Sequence, residues 1–201
     1  MKLRIFIFGL FLMFSCSLLA QEQQKKKRSI GLTFSGIGDV TAYPLGGSSL
    51  AGAPSYDVKN FFSLGATYVH SIYSWLDIEA GIEYSNYKIT VQPMDIPPVV
   101  YPDYDGNVSL MTIPITARLN FLKYFFFNGG FLFDIELKNT ANMDSQSGVG
   151  VICGLGAQYS FDNGFGAFVN GYYKFHSLLP YSSGSRSLFE GGLRIGLTYS
   201  F

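Results

Sequence analysis

His70 and His176 are the only histidines in this 201-residue chain, and His176 is the one with chemistry within reach. It is followed by Ser177, and Asp134 and Glu136 lie upstream. A hydroxyl, an imidazole and an orienting carboxylate are the parts of an activated nucleophile. Two histidines somewhere near acids occur often by chance, and His70 falls beside a tight-turn candidate, Ser71-Ile72-Tyr73-Ser74, where an interfacial role fits better. No His/Cys/Asp/Glu group has the spacing of metal ligands. The glycine-rich piece Gly150–Gly156 alternates with apolar residues, so it reads as strand and not as a phosphate loop. The expectation is therefore no enzyme, no cofactor and no metal.

The remaining charges are more orderly. Asp77, Glu79, Glu83, Arg118, Asp134, Glu136, Lys174, Glu190 and Arg194 each occupy a polar position in a segment whose alternate residues are apolar. Successive side chains of a strand point to opposite faces, so such segments are two-sided strands. Eight are expected. The first carries Ile30, Leu32 and Phe34, and the second Phe62, Leu64, Ala66 and Tyr68. The third sets Leu76, Ile78, Ala80, Ile82 and Tyr84 against Asp77, Glu79, Gly81, Glu83 and Ser85. The fourth runs from Met111 to Phe121 around Arg118. The fifth holds Phe125, Phe127, Phe131, Phe133 and Ile135 opposite Asn128, Asp134 and Glu136. The sixth spans Val149 to Phe161 and puts Cys153 in its apolar row. The seventh places Phe168, Asn170, Tyr172, Lys174 and His176 on its second face. The eighth ends the chain with Leu193, Ile195, Leu197, Tyr199 and Phe201 opposite Arg194.

Long Gly/Pro/Ser/Asn-rich connections (Gly36–Asn60, Val91–Asn107, Lys138–Gly148, Ser177–Ser187) alternate with tight turns. Asn163-Gly164 in the last tight turn tolerates the positive φ of a hairpin. Loops at one rim and turns at the other are the pattern of a transmembrane barrel, with both termini on the periplasmic, short-turn side. The fold expected is all-β: an eight-stranded antiparallel up-and-down transmembrane β-barrel over residues 29–201. A secreted soluble barrel would need a solvated polar row, whereas here that row is mostly Gly, Ser and Thr. Aromatics close the apolar rows, with Tyr68, Trp75, Phe121, Tyr159 and Tyr199 toward one rim and Phe34, Tyr84, Tyr173 and Phe189 toward the other. Pro114 cannot donate to a ladder, so a bulge or a locally broken hydrogen bond is expected there.

At the start, Lys2 and Arg4 precede an apolar run from Ile5 to Ala20, the pattern of a cleaved signal peptide over residues 1–20. Lipoprotein processing at Cys16 is the rival, with a poor lipobox. Residues 21–28, including Lys25–Arg28, read as a polar periplasmic tail able to touch anionic headgroups. Charged residues are only 14% and aromatics 17%, against roughly 25% charged in soluble domains. Setting aside Lys2, Arg4, Lys25–Arg28 and Glu22 leaves eight bases against thirteen acids from Ser29 onward. With no basic stripe, nucleic acid is not expected as a partner. Cys153 is left without an intramolecular disulfide partner once Cys16 is removed.

The chain resembles the PorT-type outer-membrane β-barrel proteins of Bacteroidetes. The resemblance rests on Leu18-Leu19-Ala20-Gln21, on Ile113-Pro114-Ile115 running to Asn120-Phe121, and on the terminal Gly196-Leu197-Thr198-Tyr199-Ser200-Phe201. It implies an integral protein of a Gram-negative outer membrane and, for the founding member, a part in protein secretion. Lipids and the barrel-assembly machinery, through the strand ending at Phe201, are the expected partners. Another envelope protein or an external ligand could use the long loops, notably Ala42–Gly47 and Met94–Tyr104. The function expected is a structural or interaction scaffold with a packed polar lumen that displays loops; the alternatives are an accessory of transport or secretion, with the surplus of lumen acids drawing cations, and then a lipid-acting enzyme. Arg118 is expected to neutralise Asp77 and Glu79 as their only neighbouring base.

Overall fold

The computed structural model describes residues 28–44, 54–93, 101–182 and 186–201. The signal peptide, most of the polar tail, and parts of the first and second long connections lie outside them. Eight strands form: β1 Arg28–Pro44, β2 Ser55–Tyr73, β3 Leu76–Gln92, β4 Tyr104–Phe121, β5 Phe125–Asn139, β6 Gly148–Ser160, β7 Phe165–Pro180 and β8 Arg186–Ser200. Every strand pairs antiparallel with its sequence neighbour, and β8 returns to β1, closing the barrel. Closure satisfies the edges that an open sheet would expose, which is what a structure in lipid requires. The last residue takes part, since Phe201 N donates to Arg28 O at 2.9 Å.

The polar row of each segment points inward and the apolar row outward. Leu32 is 71% and Leu197 69% exposed, whereas Glu79 is 1% and Glu190 0% exposed. An outer wall of Leu, Ile, Phe and Val suits hydrocarbon. Aromatic pairs mark its two margins. Tyr73–Trp75, Phe121–Phe125, Tyr124–Tyr159 and Phe165–Tyr199 lie at the short-turn end, and Tyr173–Phe189 and Phe62–Tyr84 at the other. Cys153 sits on the outer wall.

Two expectations about length are corrected. The connections assigned to Gly36–Asn60 and Val91–Asn107 are shorter than expected, because strand runs into both ends of each: β1 continues to Pro44, β2 starts at Ser55, β3 reaches Gln92 and β4 starts at Tyr104. With β2, β3 and β4 at 19, 17 and 18 residues, the strands far exceed the roughly 9–11 that a bilayer needs. The lumen is also not polar throughout. Beyond the polar section, Val40, Phe61, Tyr87, Ile89, Val91, Val108, Leu110 and Leu188 pack inside the barrel together with Ala141 and Met143 of the β5–β6 connection. On β3 the inward row changes from Asp77, Glu79, Glu83 and Ser85 to Tyr87, Ile89 and Val91. The outward row changes with it, from Leu76–Tyr84 to Asn86, Lys88, Thr90 and Gln92. The barrel leaves the apolar solvent near Tyr84 and continues as a water-facing barrel with an apolar core.

Pro114 faces the lumen with no register slip. Pairing with β3 lapses at that point: Ala80↔Ile115 and Glu83↔Thr112 are formed, and the two positions between them, opposite Gly81 and Ile82, are not. The missing N–H therefore costs one local break in the ladder. Irregularities arise elsewhere, between Ser35 and Ile37 of β1, Val58 and Asn60 of β2, Ser109 and Leu110 of β4, and in β7 opposite Val149–Val151.

Candidate functional site

The inward charges assemble into two layers. In the layer nearer the short turns, Arg118 Nη2 donates to Glu79 Oε2 at 2.5 Å and Arg194 Nη1 lies 3.2 Å from Glu79 Oε1. One carboxylate is thus shared by two guanidinium groups. Arg118 also lies over the rings of Phe126 and Phe168, with its Cζ 4.1 and 5.2 Å from their centroids. Asp77 is placed differently from expectation. It stands beside Arg118 in the β3–β4 register, but accepts from Asn120 Nδ2 at 2.7 Å. Arg118 is therefore not the sole base of an Asp77/Glu79 pair: Arg194 is the second cation at Glu79, and an amide serves Asp77. Strand-neighbour reasoning missed Arg194 because it reaches Glu79 across the lumen, from β8 to β3.

In the second layer Lys174 bonds Glu83 and approaches Glu190 Oε1 at 3.4 Å. Glu190 accepts from Tyr87 at 2.5 Å and from the Tyr172 hydroxyl, which also shares a hydrogen bond of 2.6 Å with Ser35. His176 lies between two acids, with Nδ1 3.1 Å from Asp134 Oδ1 and Nε2 3.5 Å from Glu190 Oε2. Asp134 further accepts from Thr112 at 2.7 Å and from the backbone N–H of Ser177 at 3.2 Å. Charges this deep survive only when paired and hydrogen-bonded. Each of these side chains is 0–5% exposed apart from those at the layer margins.

His176 thus lacks the geometry of a general base. Both ring nitrogens face protein acceptors, and the residue is fully buried. Ser177, in a positive-φ conformation (φ 47°), donates its hydroxyl to Ser147 O and not to His176. Glu136, the second acid considered for that set, instead accepts from the backbone N–H of Gln146 at 2.9 Å and from Asn139 at 3.2 Å. Gln146 in turn bonds Arg186 O and Leu188 N. Glu136 therefore fastens the inward-folded β5–β6 connection over the outer end of the lumen. Among the described residues no group of three or more His, Cys, Asp or Glu side chains is arranged to hold a metal ion.

At the opposite end none of the described residues covers the lumen. A cavity of about 440 Å³ lies inside the short-turn mouth, with Arg118, Asp77, Asn120 and Gln158 among its lining residues. Asn120 and Gln158, which alternation places on the polar rows without singling them out as site residues, link these groups: Arg118 Nη1 donates to Gln158 Oε1, and Gln158 Nε2 to Asn120 Oδ1.

A closed barrel with an apolar outer wall, aromatic margins and ion pairs confined to its interior defines an integral membrane β-barrel of the outer-membrane type. Solved structures carry the same architecture. The chain is similar to the outer membrane protein OprG from Pseudomonas aeruginosa, with a TM-score of 0.60 at 13% identity, covering 90% of this chain and 97% of that one. It is also similar to the outer membrane protein AlkL, with a TM-score of 0.51 at 13% identity over 90% and 92% of the two chains. At such identity the likeness concerns the fold. No family model and no curated protein matches the sequence.

Proposed function

We propose that this protein resides in the outer membrane of a Gram-negative bacterium as a closed structural barrel that holds an elongated outer rim away from the bilayer for interaction with another envelope protein or an external ligand. The observation that carries the reading is the reversal of polarity at Tyr84/Asn86 on β3, which makes the strands stand well clear of the apolar belt. A rigid scaffold beneath connecting segments is the usual setting for recognition. The lumen charges act structurally in this reading: Glu79, Glu83, Arg118, Asp134, Lys174, Glu190 and Arg194 hold the walls together across a space that eight strands leave just large enough for side chains, while Asp77 and Glu136 fasten groups beside them. We read the protein as non-enzymatic, since His176 is held between two carboxylates. Lipids surround the belt, and the β8 strand ending at Phe201 addresses the assembly machinery. A PorT-like role in secretion rests only on the motif resemblance around Ile113-Pro114-Ile115 and the C-terminus.

The test is surface topology. An epitope inserted at Gly47, between β1 and β2, is expected to be cleaved by protease added to intact cells, while one at Asn163 is expected to be protected. The opposite pattern would refute the display of the long-connection rim.

A further inference from the structure

The mouth at the short-turn end has the chemistry of a binding cup, independently of what the outer rim does. Its floor is preorganised. Glu79 fixes Arg118 from behind at 2.5 Å, and the rings of Phe126 and Phe168 hold the guanidinium in place. From there donors and acceptors run in one direction: Arg118 to Gln158 (3.2 Å), Gln158 to Asn120 (3.0 Å), Asn120 to Asp77 (2.7 Å). Yet Arg118, 3% exposed, has an Nε–H with no acceptor among the described residues. A buried donor left unpaired is costly unless something else accepts from it.

The charge of the cup selects the sign of its occupant. Around the floor stand Arg118, Arg194 and, at the rim, Lys123, against Asp77 and Glu79. The surplus is one positive charge. The walls select its remaining character, for they carry the hydroxyls of Ser71, Ser160, Thr198 and Ser200. Hydroxyls both donate and accept, and so match the hydroxyls of a polyol. The volume of about 440 Å³ lies within the usual range of small-ligand sites, about 300–1,000 Å³.

We propose that this mouth binds an acidic sugar, a hydroxyl-rich ring bearing one carboxylate, with the carboxylate directed to Arg118 and Lys123 and the ring hydroxyls to the serine-lined wall and Asp77. Such a ring could arrive as a free sugar acid or as a fragment of cell-wall glycan. The full mature protein in lipid nanodiscs, labelled with 15N, would be titrated with glucuronate, N-acetylmuramate and glucose. Both acids are expected to shift the amides of Ser71, Asn120, Gln158 and Ser200, and glucose to need about tenfold higher concentration, the value of one charge-assisted hydrogen bond. Stronger binding of N-acetylmuramate than of glucuronate assigns the cup to glycan fragments, and the reverse to free sugar acids. Lys123→Gln, at the exposed rim, is expected to weaken the acids about threefold and leave glucose unchanged. Arg118→Lys keeps a cation for Glu79 but loses the planar fork, and is expected to weaken them about tenfold. Equal responses to glucose and glucuronate, no shift at these amides at tens of millimolar, or acid binding indifferent to Lys123→Gln would each overturn the proposal.

Discussion

The belt section and the outer section of this barrel differ in what they bury, and β1 to β4 and β8 run from one into the other. In the belt, Leu76, Ile78, Ala80, Ile82 and Tyr84 face out while Asp77, Glu79 and Glu83 face in. A few residues further along β3, Asn86 and Lys88 face out while Tyr87, Ile89 and Val91 face in. On β3 the strand phase is unchanged across the boundary, with one register to β4 from Glu83 to Val91. The side chains alone record which solvent each wall meets. The ladder thus provides the shape at both levels, whereas the interior is held by ion pairs in one and by apolar packing in the other.

That difference is open to direct attack, most strongly at Lys174. It is 1% exposed and stands between Glu83 and Glu190. Lys174→Met strands two carboxylates and is expected to cost about 3–5 kcal/mol in urea unfolding from lipid vesicles at pH 7. Because protonation neutralises stranded carboxylates, the penalty relative to wild type should shrink at pH 4. A penalty that does not change with pH would mean that Lys174 packs as a stem and not as a counter-ion.

In the outer section the equivalent experiment is Leu110→Ala. Leu110 is fully buried among Tyr87, Val108 and Leu188. Cavity formation there is expected to cost about 2–5 kcal/mol, equally at pH 7 and pH 4. The two variants together separate the sections by their pH response rather than by size. If Leu110→Ala proved neutral, the apolar plug would contribute nothing to closing the outer end.

Much of this arrangement is legible in the sequence, and the parts that are not have physical reasons. Strict alternation in Leu76–Tyr84 and Leu193–Tyr199 exposes the strands, and Asn163-Gly164 exposes a turn; each is a local signal. The outer section hides because alternation continues with its sign reversed, so that Tyr87, Ile89 and Val91 resemble the end of a pattern. On β1 and β2 it is hidden further by bulges, which move the inward row from Thr33 and Ser35 to Val40. The charged residues of the lumen could be named from parity alone. Partners on neighbouring strands could be named as well, as Arg118 for Glu79, but Glu79–Arg194, Glu83–Lys174 and Asp134–His176 could not, because they join strands that are not neighbours in the sheet. Such contacts exist only once the barrel closes.

The outer wall offers a milder comparison. Ile82 is 51% exposed in the belt, and Ile82→Arg is expected to cost about 2–4 kcal/mol if it lies near the midplane. Lys88→Ile, only six residues along the same outward row, should remain within about 0.5 kcal/mol, as surface changes in water usually do. Similar penalties for the two, measured in the same vesicles, would move the membrane boundary away from Tyr84.

The smallest effect belongs to the ion pair on the water-facing exterior. Lys59 Nζ lies 3.5 Å from Asp105 Oδ1, and their side chains are 56% and 76% exposed. Inside the belt section a cation and carboxylate at comparable distance, Lys174 and Glu190, have no water to turn to. Lys59 and Asp105 have water on every open side, and Asp105 keeps a second partner, since Thr90 Oγ1 donates to it at 2.7 Å. Lys59→Ala is therefore expected to change stability by about 0–1 kcal/mol, and the change should fade as salt is raised past the point where the Debye length falls below about 10 Å. Unfolding midpoints in low and high salt would measure it. A loss as large as that of Lys174→Met, unresponsive to salt, would place β2 and β4 at this height inside the apolar layer and erase the boundary on which the two-section comparison stands.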